Sequence, residues 1–588
     1  MKVYKTLSTI GVVSAAAVAL VACGKSGDNS KDSGSKDAKK LATAVPKKAI
    51  KDGGTVTVAE LTDTPFTGIF NEGLSTSATD SDLMSPGAES LFDTDDNYKI
   101  TDNGPATFKL DKSAKTITIE VKKGVKWSDG KQVTAKDVEY SYEIVANKDS
   151  GSQRYTGSLA NVVGLAEYHA GKSKTISGID LPDGDNGRKV VIHFKQMKPG
   201  MYQSGNGYFL EFASPYHYLK DVAFSKLMSS DKIRKSPLFF GPYKLSKIVR
   251  GQSVTWVPNK YYWRGKPHLD KITYSVLSPN SSAQAIKSHK FDEISVVNSQ
   301  WKQVKGTKGY NFIAAKPLSY SYLAFKVGKY DTKKGVSVMD KNAKMNNQAL
   351  RQAIGYAMNI DEVSQHYTQG LSFRLKTLIP DRFKNFYNSK IKGYYYDLKK
   401  ANKLLDDAGY KKKGTYRVQP NGKPLTIHLA AMTGTSNQEA IIQNYIQQWK
   451  KIGLHVVLTG GRLIEFNSFY DKVEKDDPSI DMFFGGWSLS SEPSPKDLYS
   501  KEAPFNFSRF VTAENTKLLN EIDSDKAFNE SYRAEKFKEW QQYMYEQAYV
   551  IPTTNGYSID AVNSKLTGVY ASKPSLGNQA WYLVGYAK

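Results

Sequence analysis

Cysteine is all but missing from this 588-residue chain. The one residue present, Cys23, permits neither an internal disulfide nor a cysteine-ligated metal site. Histidine is sparse too: the eight histidines never fall at i, i+4, so no helix carries a ligating pair. His428 and His455 sit in predicted strands and read as packed or surface residues. No G-x-S-x-G, H-E-x-x-H or phosphate-binding G-x-x-x-x-G-K-[ST] occurs, which removes the commonest local signatures of serine hydrolase, zinc protease and NTPase chemistry. Negative charge is in deficit, with 58 Asp and Glu against 82 Lys and Arg, a net charge of +24. The lysines are scattered, in runs no longer than residues 411–413, and form no basic–aromatic stripe. They read as a solvated surface suited to an anionic envelope, not as a nucleic-acid interface. Beyond the N-terminus no segment is apolar enough to cross a membrane, and no internal repeat is found.

The N-terminus has what the rest lacks. Lys2 and Lys5 precede a short apolar run, residues 10–21, that ends in Leu20-Val21-Ala22-Cys23. The run is too short for a comfortable span and reads as a secretory signal. Leu-Val-Ala-Cys resembles a bacterial lipobox, which implies cleavage just before Cys23 and a diacylated, palmitate-bearing thiol. An ordinary signal with a chance cysteine is the alternative. Residues 24–48, rich in Lys, Ser, Gly and Asp, read as a disordered tether. About 540 residues then remain, enough for two or three domains. Tyrosine is abundant, at 37 residues, in numbers that can serve both core and cavity.

Periodicity outlines a mixed α/β body. Residues 55–59 (TVTVA) form a strand entered through Gly53-Gly54, and residues 107–121 a hairpin turning at 111–113. Trp127-Ser128-Asp129-Gly130 is a tight turn. Thr134 caps the following helix, with Asp137 completing a capping box and Val138, Tyr142 and Val145 on one face. Strands follow at 189–194, 253–258 and 268–274. Leu350, Ala353, Ile354, Ala357 and Met358 repeat at helical spacing. Asp397 caps a helix with Leu398, Ala401, Leu404, Leu405 and Ala408 on its apolar face, and Gly409 lies just past its end. Strand 425–430, a helical face from Ile441 to Ile452 and strand 454–458 make a right-handed βαβ unit. A further strand, 480–484, ends at Gly485-Gly486-Trp487.

Residues 124–143, GVKWSDGKQVTAKDVEYSYE, resemble the signature of the peptide-binding lipoproteins of ABC importers, extracellular solute-binding proteins of the peptide/nickel class. A Gly-Pro-Tyr strand at 241–243 followed by Asn259-x-x-Tyr262-Trp263, and residues 350–361 and 397–410, extend the likeness from about Gly54 to the C-terminus. The resemblance implies an α/β, two-lobed periplasmic-binding-protein-like fold, with an extra subdomain inserted in lobe one and two hinge crossings. Carried onto this chain, the signal is 1–22 and the lipidated cysteine and tether are 23–50. Lobe one is 51–95 with 204–308 and 555–588, the inserted subdomain 96–203 and lobe two 309–554, with crossings near Gly309 and Thr554. It further implies no enzyme activity, no cofactor and no metal. The expected protein is a monomer, lipid-anchored at Cys23 to the outer face of the cytoplasmic membrane. It captures oligopeptides for permease and ATPase partners and binds no nucleic acid. A receptor for one signalling peptide, or an exported lipoprotein for nickel, haem or wall polymer, stays open as an alternative.

Within this frame the first candidate for ligand contact is residues 484–493. Here Phe484, Gly485, Gly486, Trp487, Ser488, Leu489 and Glu492 follow a sheet strand, where such lobes present binding loops. The glycines permit close backbone approach and Trp487 can form an apolar wall; a sharp turn with a core tryptophan is the alternative. Some relatives place an aspartate three residues after this tryptophan to pair with the ligand's α-ammonium. Here the position is Ser490, with Glu492 two residues displaced, which points away from a fixed N-terminal anchor and toward loose length selection. The loop 62–71, with Thr64, Phe70 and Asn71, is a second candidate, equally readable as a surface loop. Asn506 is a third, for ligand or for a turn.

Overall fold

The computed structural model describes residues 40–588 except Thr64, Thr76, 435–436 and 573–579. The signal and Cys23 lie outside the described residues. The fold is two-lobed, each lobe built on its own mixed sheet. The first sheet has seven strands in the spatial order Tyr310–Ala315, Ser558–Asn563, Glu293–Ser295, Thr55–Leu61, Lys271–Leu277, Ser253–Pro258 and Tyr243–Val249. Thr55–Leu61 runs parallel to both its neighbours, and the remaining pairs are antiparallel. The second sheet has five strands: His455–Leu458, Thr426–Ala430, Met482–Ser488, Ser319–Phe325 and Val550–Pro552. Thr426–Ala430 runs parallel to both its neighbours, and its connection to His455–Leu458 is helix Gln438–Lys451, the βαβ unit read from periodicity. That helix buries Ile442, Tyr445 and Trp449, its apolar stripe.

A separate four-stranded antiparallel sheet, Ala106–Asp111, Thr116–Val121, Lys189–His193 and Ile179–Asp180, forms the inserted subdomain with helix Ala135–Ala146. The capping box at Thr134 and Asp137 is present, and Val138, Tyr142 and Val145 are buried. Asp137 does more than cap. Its carboxylate also accepts from Trp127 Nε1 (2.9 Å) and from the Tyr216 amide (2.8 Å), tying turn, helix and a distant segment together. Gly130 (φ +94°) closes the turn, and a Cβ there would meet the Tyr261 ring at 2.8 Å. Trp263 donates to Glu89 (2.9 Å), and the buried Asn259 donates to the Gly241 carbonyl (2.9 Å). The motifs that carry the family resemblance are thus framework contacts.

Three expectations move. Residues 42–50, assigned by composition to the tether, are part of the folded body. Val45 is buried and donates its amide to the Val569 carbonyl, the Lys48 amide donates to Thr567 Oγ1, and Ile50–Lys51 pairs with Gly585–Ala587. The crossing placed near Gly309 occurs at residues 316–318, because Tyr310–Ala315 stays in register with Ser558–Asn563 in the first sheet. The chain returns at residues 553–557. There Asn555 ties the crossings together, donating to the Pro317 carbonyl (3.0 Å) and accepting from Ser319 Oγ (3.2 Å). Third, the strand expected to stop before Gly485 runs on to Ser488.

Candidate ligand-binding cleft

Gly485, Gly486 and Trp487 lie within the central strand of the second sheet, paired with Tyr322, Ser321 and Tyr320. The strand continues through the glycines in register with Ser319–Phe325, and the Tyr322 ring lies across Gly485, where a Cβ would sit 2.7 Å from it. Trp487 is layered between Tyr322 (6.3 Å, 16°) and Phe507 (5.6 Å, 22°), with the exposed Phe505 edge-on to it at 5.6 Å. Phe484 stacks on Tyr445 (5.6 Å) and belongs to the helix–sheet packing. Only from the last residue of the strand does the segment reach open space. Ser488 is exposed, Leu489 donates its amide to the Leu318 carbonyl at the crossing (2.8 Å), and Ser491 comes against Gly205 of the facing lobe.

Two cavities flank that meeting of residues 488–494 with residues 200–208. The larger, about 770 Å³, is lined from the first lobe by Glu72, Arg154 and Glu211, and from the second by Arg382 and Ser491, with Tyr98 and Leu318 between. Burial pushes the Glu72 carboxyl up to about 7; Glu211 adds to the shift and Arg154 opposes it. Burial raises Glu211 as well, although Ser204 Oγ and the Gly205 amide both donate to it at 2.6 Å. Arg382 lies over the Tyr98 ring (5.8 Å) and donates to the Lys316 carbonyl (2.7 Å), so the cavity wall is tied to the crossing. The smaller cavity, about 200 Å³, is an alcove between Asn206 and Tyr208 on one side and Tyr320, Ser488, Leu489, Glu492 and Tyr499 on the other. The Tyr320 and Tyr499 hydroxyls bond to each other in its wall at 2.7 Å.

Of the residues singled out from sequence, Ser488, Leu489 and Glu492 line the alcove, while Phe484, Gly485, Gly486 and Trp487 stand behind them in the sheet. Glu492 is not a free carboxylate. It pairs with Arg533 at 2.6 Å and accepts from the Ser494 amide, with its side chain 8% exposed. Its charge is spent inside the lobe, so it is no substitute for the ammonium-binding aspartate of some relatives. Ser490 Oγ turns back to the Glu492 carbonyl (2.8 Å).

The other two candidate segments are scaffold. Thr64 lies outside the described residues. Phe70 is buried against Phe66. Asn71 is buried, donating to Ser214 Oγ and accepting from the Gly73 amide. What shapes their loop is the buried Asp80, which collects the Gly68 and Ile69 amides together with the amide and hydroxyl of Thr67. Asn506 is fully buried and spends its amide on the Ser500 and Phe510 carbonyls and the Arg509 amide, the turn role. Tyr98, Arg154, Glu211, Arg382 and Tyr208 carried no signal in the sequence. Each is an ordinary residue in its own segment, brought to the cleft only by tertiary contacts. Among the described residues no group of three or more His, Cys, Asp or Glu side chains is placed to hold a metal ion, and no helix is long and apolar enough to cross a membrane.

Residues 90–508 match the family model of bacterial extracellular solute-binding proteins, family 5, middle region. The oligopeptide-binding protein OppA of Lactococcus lactis subsp. cremoris (strain SK11) is 48% identical over 514 residues, 86% of this chain and 86% of its own length. The oligopeptide-binding protein AppA of Bacillus subtilis (strain 168) is 25% identical over 563 residues, covering 93% of this chain and 94% of its own. Among solved structures, lactococcal OppA complexed with an endogenous peptide in the closed conformation superposes with a TM-score of 0.76 at 46% identity, over 91% of this chain and 100% of that one.

Proposed function

Because the chain belongs to the family 5 bacterial extracellular solute-binding proteins, which are binding proteins of transporters and not enzymes, we propose that it captures oligopeptides between its lobes and delivers them to an ABC importer permease. The likeness to OppA over 86% of both chains carries this reading. The interlobe cavity of about 770 Å³ supports it, being in the size range of cavities that enclose small ligands. Edge-like backbone at Ser488 to Ser491 can hydrogen-bond a peptide main chain, while side chains enter the roomy cavity and the alcove. With Glu492 committed to Arg533, this carboxylate does not fix the ligand N-terminus, which favours tolerance of length. The lobes close by hinge motion about residues 316–318 and 553–557. Acylation of Cys23 holds the protein at the outer face of the cytoplasmic membrane, at high effective concentration near its permease.

Native mass spectrometry of protein purified from rich medium, then offered peptides of graded length, tests both parts. The expected result is a ladder of intact bound peptides on a chain that begins at Cys23 and carries lipid mass. One dominant peptide would replace the importer reading with a signalling receptor. A metal or haem adduct with no peptide at any length would overturn peptide capture. A mature chain without acyl mass would remove the anchor.

A further inference from the structure

The inserted subdomain lends Tyr98 and Arg154 to the cavity wall, and it also reaches the second lobe at a built contact. On its side are Lys112 at the hairpin turn, Tyr202 at the end of the 3-10 turn Pro199–Tyr202, and Gln203 next to it. Across from them are the turn Asp525–Phe528 and the first coil of helix Glu530–Gln547. Phe528 packs against the hydrophobic core of the subdomain, edge-on to Tyr202 at 6.2 Å, with the Lys112 ammonium over its ring at 4.6 Å. Beside this aromatic contact the guanidinium of Arg533, 4% exposed, donates to Gln203 Oε1 at 3.0 Å. Its remaining donors go to Glu492 (2.6 Å), Asp523 (3.3 Å) and the Ile522 carbonyl (3.1 Å), all on its own lobe. Gly200 completes the fit, since a Cβ there would come within 2.9 Å of the Glu492 carboxyl.

The asymmetry of these bonds is informative. Within the second lobe Arg533 is already held by two carboxylates and a carbonyl, so the lobe does not need Gln203 in order to fold. Gln203 contributes only while the lobes are together, and the same is true of Tyr202 and Lys112 against Phe528. Glu492 and Asp523 also line the alcove, so the contact lies at the edge of the ligand space. A buried charge-assisted hydrogen bond next to an aromatic contact is the composition of an interface hot spot, here formed between parts of one chain.

We propose that the inserted subdomain is the jaw on which the second lobe closes, and that Gln203–Arg533 with Tyr202–Phe528 is a clasp that holds the lobes shut around a bound peptide. The clasp rests on the reading that ligand is held between the lobes. Its free energy belongs to the closed state alone, so it sets how slowly a captured peptide escapes and leaves the contacts to the peptide unchanged.

The test uses full-length protein extracted from membranes, a synthetic nonapeptide as probe, and the variants Gln203→Ala, Phe528→Ala, Tyr202→Ala and the Tyr202→Ala/Phe528→Ala double. Each single variant is expected to release the nonapeptide about 3- to 10-fold faster, and the double variant no more than its worse single. Melting of the ligand-free protein should be unchanged for Gln203→Ala, and X-ray scattering should show that variant less compact when peptide is present. Release rates within twofold of wild type, or additive effects in the double variant, would overturn the clasp while leaving peptide capture standing. A wild-type protein that binds no nonapeptide, or any other peptide, would overturn the capture reading, and the clasp with it.

Discussion

Asp137 shows how a three-residue capping motif becomes a structural anchor. One carboxylate, itself buried, is shared by a helix N-terminus and the indole of Trp127 in the inserted subdomain and by the amide of Tyr216 from the segment that follows it. Removing it leaves three donors without their acceptor, the Trp127 indole among them in a fully buried bond. Asp137→Ala is therefore expected to cost about 2–4 kcal/mol, read as a lower denaturant midpoint. Asp137→Asn keeps one acceptor and should cost less. An unchanged midpoint for the alanine variant would show that neighbouring groups or water replace all three bonds. Gly485 makes the complementary point, since its value lies in an absence. The Tyr322 ring occupies the space where any Cβ would stand, in the strand whose ladder with Ser319–Phe325 runs on to Ser488 at the mouth of the alcove.

At the scale of elements, the revised start of the folded body has a measurable consequence. Residues 42–50 add main-chain pairs with residues 313–314, 569–571 and 587–588, and Val45 enters the core of the first lobe. A chain beginning at residue 40 should melt like one beginning at residue 24. One beginning at residue 52 loses the Val45 burial, worth about 1.5–3 kcal/mol, together with those edge bonds, and should melt several degrees lower. Equal melting of all three chains would mean that the segment lies on the body without stabilising it. The sequence hid this because Lys47, Lys48 and Lys51 give the stretch the polar composition of the tether, while most of its partners lie more than 500 residues away. The same distance rule governs the first crossing. The strand Tyr310–Ala315 has no mark in the local pattern, and its pairing with Ser558–Asn563 is what assigns it to the first sheet.

For the whole molecule, burial of acids between and beneath the lobes couples folding to pH. Burial pushes the Glu89 carboxyl up to about 7; the Trp263 indole, Arg264 and the Tyr262 hydroxyl pull it back, and Asp93 pushes it further. Glu72 at the cleft is raised to about 7 by the same cause. A raised acid binds a proton in the native state that the unfolded chain releases above its ordinary range near 4.5. Its contribution is thus fully present below about pH 4.5 and is lost as pH rises through 7. For Glu89, whose side chain is 14% exposed, the loss is on the order of 2 kcal/mol. Melting temperature should fall from pH 5 to pH 8, and Glu89→Gln should make that fall shallower. An identical slope in the variant would show that Glu89 is already ionised when folded.

The βαβ unit and the capped helices were legible in the sequence because they rest on local rules: alternation, the 3.6-residue period, caps and turn glycines; the two lobes were implied by the family resemblance. The family was legible for a related reason, as its motifs are framework contacts whose residue types the fold itself requires. The cleft was legible only in part. Ser488, Leu489 and Glu492 lie at its alcove, yet Asn506, Phe70 and Asn71, equally polar or aromatic on paper, are spent on turns and core. A side chain's environment comes from the segments that fold against it, and those are not its neighbours in the chain. Thus the sequence by itself determined the elements and the kind of protein they build. The tertiary structure alone decided that Glu492 serves Arg533 and that the inserted subdomain meets the second lobe. Both depend on contacts between segments far apart in the chain, which no local pattern encodes.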